Sequence, residues 1–329
     1  TASGNVKTTI RLAESPNLKD RKKSQGLPNT LEQIRISPDG KTAWATHLLT
    51  NTDTAIAFDE TIFPAISVID TAEDRELTEE RKQLFKEINV PDNLGKTMIV
   101  SNPSDVRFSS DGSKAFVLMS GSEDIVVFDL TKGGNATQIV RHVPGDWPIG
   151  MALSPDDSTL LVNNGNTHDL ATVSTGWPNG DARAETKTLK LIAKDPLPEE
   201  ERLGKTLFLT ANSDEYPITQ QHWMSCVSCH AGGETDGMTL LTPKGPRNVP
   251  SNVAAMAAGC AAGRVGAQDA ELVALRVGQD HPAGAGPVDA AMVGDLRGAV
   301  PEQPLDLLVA GALARAEVEV HAVLDRLRV

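Results

Sequence analysis

One pattern occurs three times between residues 31 and 175: an alternating apolar run, a turn of Ser-Pro-Asp-Gly type, and a second apolar run. The copies cover residues 31–44, 103–116 and 148–160. Their turns are Ser37-Pro38-Asp39-Gly40, Ser109-Ser110-Asp111-Gly112 and Ser154-Pro155-Asp156-Asp157. Period-two alternation turns one face of each run inward, and Asp-Gly between two such runs reverses the chain, so each copy predicts a hairpin. A third run ending in aspartate follows at residues 65–70 and 124–129, with a weaker version at 169–173. A chain written this way is expected to form a series of small antiparallel sheets, three or four strands each.

The step from Ser109 to Ser154 is 45 residues, the period of a four-stranded propeller blade. From Ser37 to Ser109 it is 72, which predicts an insertion. One candidate is the polar loop 50–63. The other is the charged stretch 76–88, where Leu77, Leu84, Phe85 and Ile88 share one helical face. The pattern resembles the YVTN-type β-propeller repeat. Three copies do not close a ring, which takes four to eight blades. Hidden blades, a fragment, or another packing of the sheets all stay open, and an ordinary β-sandwich is the plainer alternative. Residues 182–198 lack a clear apolar pattern and end in Asp195-Pro196-Leu197-Pro198, reading as a last strand and a linker with a boundary near residue 194.

Cys226-Val227-Ser228-Cys229-His230 has the C-x-x-C-H spacing of a c-type haem attachment site. The two thiols can each form a thioether to one vinyl group, and the next residue, His230, can serve as proximal iron ligand. A structural zinc site is the competing reading. It needs four ligands, and Cys260 and His222 would have to complete the set.

Around this motif, Leu203-Gly204-Lys205-Thr206-Leu207-Phe208 resembles the "LGKxLF" helix of the di-haem cytochrome c peroxidase family. Asp236-Gly237 and Arg247-Asn248-Val249-Pro250-Ser251 are similar to its "DG" turn and "RNTPS" segment. The resemblance covers residues 200–251, and YVTN-type propellers also occur joined to such cytochromes. It implies a mainly β fold, a partial or complete β-propeller over residues 1–194, followed by a small, mainly α cytochrome c-like domain. Cys226, Cys229 and His230 would hold one haem c, and Arg247 would pair with a propionate; its alternative is a solvated surface arginine. Peroxidase action in that family requires two haems, and one attachment motif is present here. Electron transfer with a redox partner protein is therefore expected, with at most weak peroxidase-like activity as an oxidoreductase, and no substrate is assigned. The alternative function is a propeller recognition module with a peripheral or non-functional haem site.

The distal ligand is not written in the motif. Met238 is eight residues beyond His230, too near to pass round a porphyrin edge, and reads as a core methionine. His222 and Met224 meet the same objection, so the distal position is expected to be open unless Met256, His281 or Met292 reaches it. His47, His142 and His168 fall near expected strand ends and read as loop residues before any central-channel ligand.

The net charge of −13 over 329 residues leaves no basic stripe for nucleic acid, and a partner for electron exchange would present a basic patch. No run of 18 apolar residues predicts a membrane span. Covalent haem attachment implies a periplasmic or exported location, although residues 1–5 show no signal peptide. Beyond Ser251 the composition changes: residues 251–329 hold 19 alanines, no lysine and no aromatic residue. Either this 252–329 tail is a helical cap, with Leu305, Leu308, Leu313, Val320 and Leu324 on one stripe, or it is poorly ordered sequence from a shifted reading frame. On either reading it contributes little to the haem site.

Overall fold

The computed structural model describes residues 6–16, 19–88 and 99–252. The first repeat forms a sheet of β1 (Leu27–Asn29), β2 (Ile34–Ile36), β3 (Thr42–Thr50), β4 (Ile62–Asp70), β5 (Arg75–Glu76) and β6 (Lys82–Gln83). Here β1 and β2 both pair with β3, and β5 and β6 both pair with β4, so six short strands fill four positions. The second repeat is a meander of β7 (Pro103–Phe108), β8 (Lys114–Met119), β9 (Asp124–Asp129) and β10 (Asn135–Val140). The third repeats it with β11 (Pro148–Leu153), β12 (Thr159–Asn164), β13 (Asp169–Ser174) and β14 (Arg183–Lys190). The strand pairings within these three sheets are antiparallel.

The turns join β2 to β3, β7 to β8 and β11 to β12, as the repeat predicts. In each, the serine hydroxyl donates to the aspartate carboxylate two residues on, at 2.7 Å (Ser37–Asp39), 2.8 Å (Ser109–Asp111) and 2.6 Å (Ser154–Asp156). The fourth turn position is left-handed each time, with φ of 72° at Gly40 and 71° at Gly112. The third copy places Asp157 there at φ 59°, and its carboxylate accepts from Ser110 N at 2.9 Å and Ser110 Oγ at 2.6 Å in the neighbouring sheet.

The sheets pack face to face. Trp44, Ile66 and Val68 of the first meet Val106, Val117, Val126 and Phe128 of the second. Phe116, Leu118, Ile125 and Val127, on the other face of the second sheet, meet Met151, Leu160, Val162 and Val173 of the third. At the inner strands, Asp105 of β7 accepts from Arg35 Nε of β2 at 3.2 Å and from the Met151 amide of β11 at 2.9 Å, so one buried carboxylate touches all three sheets.

The stretch 76–88 is not the helix its periodicity predicts. It holds β5, β6 and two 3-10 turns, Thr78–Glu80 and Lys86–Ile88. Leu84, Phe85 and Ile88 are buried as expected, but against the sheets. Pairing with the exposed edge of β4 satisfies backbone groups that an isolated turn of helix would leave to water. The loop 51–61 is one seat of the insertion, and the connection from β4 to β7 is the other.

After the linker comes helix α1 (Glu199–Leu209), which carries the Leu203–Phe208 motif, then two 3-10 turns, Cys226–Ser228 and Ala231–Gly233, and a hairpin of β15 (Thr239–Thr242) and β16 (Gly245–Asn248). Within the described residues this segment is therefore one helix, turns and a hairpin rather than a mainly α domain. It sits at the end of the strands opposite the Ser-Pro-Asp-Gly turns. Ala211 N donates to Gly121 O between β8 and β9, Ile56 N in the β3–β4 loop donates to Leu241 O, and Asn166 Nδ2 between β12 and β13 donates to Thr206 Oγ1 at 2.6 Å. The expected 252–329 tail, with Cys260, Met256, His281 and Met292, lies outside the described residues apart from its first position.

Candidate functional site

Ser225 and Ser228 form a reciprocal capping box that opens the 3-10 turn Cys226–Ser228. The turn closes with Cys229 N and His230 N both donating to Cys226 O, at 3.2 and 3.0 Å. The two cysteines and the histidine are thus gathered on one tight reversal. Ser228 Oγ also donates to Asn102 Oδ1 at 2.7 Å, fixing the turn to the chain that enters β7.

His230 is 3% exposed, and its Nδ1 lies 3.2 Å from the carbonyl oxygen of Glu234. A backbone carbonyl accepts only from a protonated ring nitrogen, so Nδ1 carries the hydrogen of this bond. The Phe208 ring, on α1, lies 6.4 Å from the imidazole, centroid to centroid.

Cys226 is half-buried, and burial raises its thiol pKa. Cys229 is deeper, among Leu48, Phe63, Trp223, Leu240 and Val249. Burial pushes its thiol up to about 12, with the Asp236 carboxylate adding to the effect. Both are therefore protonated thiols at neutral pH, unlike the exposed, electropositive setting of a reactive cysteine.

Arg247 pairs with Leu240 across the β15–β16 hairpin. It stands exposed on β16, and its Nη1 donates to the carbonyl of Pro246 at 2.9 Å. His222 is buried but faces elsewhere: its Nδ1 accepts from Ser213 N at 3.2 Å and its Nε2 lies 3.6 Å from Asp214. Among the described residues no three His, Cys, Asp or Glu side chains are placed to hold one metal ion. Met224 and Met238 pack against the apolar cluster around Trp223, as core methionines.

The propeller histidines divide. His142 and His168 lie in loops. His47 is not at a strand end: it is buried in the middle of β3, between Ser67 Oγ and the Leu48 carbonyl at 2.9 Å each, and burial lowers its pKa to about 4. It is a neutral core histidine. Phe208, Glu234 and Asn102 position the Cys–His turn, and the sequence signalled only Phe208, through its place in the helix motif.

A model of the family "Lactonase, 7-bladed beta-propeller" matches residues 31–191. None of the curated proteins matches the chain. Among solved structures, the chain is similar to hydrazine synthase from Kuenenia stuttgartiensis (15% identity, 45% of this chain and 46% of that one, TM-score 0.37). It is similar also to a putative 6-phosphogluconolactonase from Bacteroides fragilis (14%, 54% and 58%, TM-score 0.31). Another from Bacteroides uniformis matches at 11% identity, over 51% and 59% of the chains, with a TM-score of 0.31. The chain spans about half the length of the structures it matches. Residues 31–191 are thus a mainly β, propeller-type repeat region, and the family match ends before the Cys–His turn begins.

Proposed function

We propose that this chain is a propeller-type module carrying one covalently attached c-type haem, and that it transfers electrons to or from a partner protein. The observation that carries the reading is His230, buried, with Nδ1 tied to the Glu234 carbonyl, on a turn that also carries Cys226 and Cys229. The residue types suit the group: two thiols for thioethers, one imidazole for iron, and apolar neighbours in Phe208, Leu240 and Val249. The haem would supply a one-electron iron couple. The protein's part is to orient His230, keep water from the thiol side through the cluster around Trp223, and anchor the turn through Ser228 and Asn102. Covalent attachment would place the protein in the periplasm or outside the cell.

A second reading, a propeller recognition module with a peripheral or non-functional haem site, is favoured by the family match over residues 31–191 and by the depth of Cys229 in its apolar cluster. One experiment separates them. Protein made with cytochrome c maturation should show a Soret band, a c-type pyridine haemochrome and haem retained on denaturing electrophoresis, all lost in Cys226→Ala/Cys229→Ala. Haem-free protein from the same expression would establish the second reading.

A further inference from the structure

We propose that the acidic cavity between the second and third sheets and the residues following α1 binds a small organic cation, through an alkylammonium or guanidinium group. The cavity, about 380 Å³, is lined by Glu123, His142, Asp146, Asn212, Asp214 and Glu215. Four carboxyl groups and an imidazole face it, and among the described residues no lysine or arginine does. Arg141, the nearest cation in sequence, is engaged by the buried Asp124 at 2.5 Å.

The observation that points to a ligand is Asn212. Its side chain is 3% exposed, its Nδ2 donates to Glu123 Oε2 at 2.9 Å, and its Oδ1 has no hydrogen-bond partner among the described residues. A buried carbonyl oxygen left without a donor is costly, and folded proteins rarely leave one so. The other groups at the wall also present acceptors. Glu123, itself 3% exposed, accepts from Thr210 Oγ1 at 3.1 Å as well as from Asn212, and Asp146 accepts from Thr206 Oγ1 at 3.2 Å. Such a wall calls for a ligand that brings donors and positive charge. An ammonium brings three N–H donors and a guanidinium five.

A bare metal ion fits less well, because among the described residues no three chelating side chains converge on one point. The ligand must bring its own volume, and a cavity of this size holds a molecule of several carbons. Half-exposed His142 and Asp214, 3.3 Å apart, stand where it opens to solvent. Burial, with the carboxylates of Asp146 and Glu215 adding, raises the pKa of Glu123 to about 8.

Calorimetric titration of the full chain tests this with agmatine, putrescine, 1,4-butanediol and calcium chloride as separate titrants. The expected result is saturable binding of both amines, none of the uncharged diol, and at least about tenfold weaker amine binding in Asp146→Asn and in Asn212→Leu. Because Asn212 is buried, Asp214→Asn and Glu215→Gln serve as variants at positions with exposed side chains, each checked for native circular dichroism. Amine affinity unchanged in folded Asp146→Asn, Asp214→Asn and Glu215→Gln would overturn the proposal. So would an absence of amine binding at millimolar concentration, or calcium binding that excludes the amines.

Discussion

The indole N–H of Trp223 donates to the carbonyl oxygen of Ile62 at 3.0 Å, joining the segment that bears the Cys–His turn to the start of β4. The same ring lies edge-on to Phe58 at 5.5 Å. A residue three positions before Cys226 is thus a structural staple on a sheet formed 161 residues earlier.

Trp223→Phe keeps most of the apolar area and loses the hydrogen bond, so a loss of about 1–2 kcal/mol is expected. Trp223→Ala also leaves a cavity and should lose about 3–5 kcal/mol. Urea denaturation of both variants checks this. A change within about 0.5 kcal/mol for the alanine variant would mean that the segment does not rest on the first sheet.

How much of this was legible follows from how local each signal is. The Ser-Pro-Asp-Gly turns write their own hydrogen bonds within five residues, so the hairpins at Gly40 and Gly112 could be read directly. The stretch 76–88 could not: Leu84, Phe85 and Ile88 are buried in either conformation, and what decides against helix is the free edge of β4, a distant partner. His47 was misplaced for a related reason, since β3 runs on to Thr50 and absorbs a position that looked like a strand end. The Cys–His turn was legible from spacing, and Arg247 stands exposed, as its alternative of a solvated surface arginine has it. The acidic cavity draws on residues 123, 142, 146, 212, 214 and 215, and no short window of sequence contains them together.

For the haem reading, His230→Ala is the informative variant. With Cys226 and Cys229 intact, haem should remain attached through its thioethers and stain on a denaturing gel, while the absorption spectrum changes because the proximal nitrogen is gone. An unchanged spectrum would show that another residue holds the iron.

Glu123 predicts a pH dependence of stability. Its pKa is raised from 4.5 to about 8 in the folded protein, first by burial. Between those values the folded state holds a proton that the unfolded chain has released. The contribution is therefore full below the unfolded value and is lost as pH rises towards 8, each step of one pH in that interval removing about 1.4 kcal/mol. Glu123→Gln removes this titration while keeping a polar side chain beside Thr210 and Asn212. Chemical denaturation at pH 5 and pH 8 should show wild type weakening across the interval by more than the variant does. Asp124 and Asp146, also raised by burial, leave a residual slope of the same sign. Equal slopes in the two proteins would show that Glu123 is not held in the acid form.

Asp157 stands where the other two repeats have glycine, at φ 59°. Judged by the turn alone, Asp157→Gly should stabilise by about 1 kcal/mol, since a left-handed backbone carries no penalty for glycine. The structure argues the reverse. The carboxylate accepts the amide and the hydroxyl of Ser110, at 2.9 and 2.6 Å, and clamps the third turn to the second. Hydrogen bonds to a charged group contribute about 1.5–3 kcal/mol each, so the loss should outweigh the gain and leave a net destabilisation of about 2–5 kcal/mol. Asp157→Asn, which tolerates the same backbone and keeps one acceptor, should lose about half as much. Urea denaturation of the two variants decides the matter, and a glycine variant as stable as wild type would mean that the clamp does not hold the sheets together.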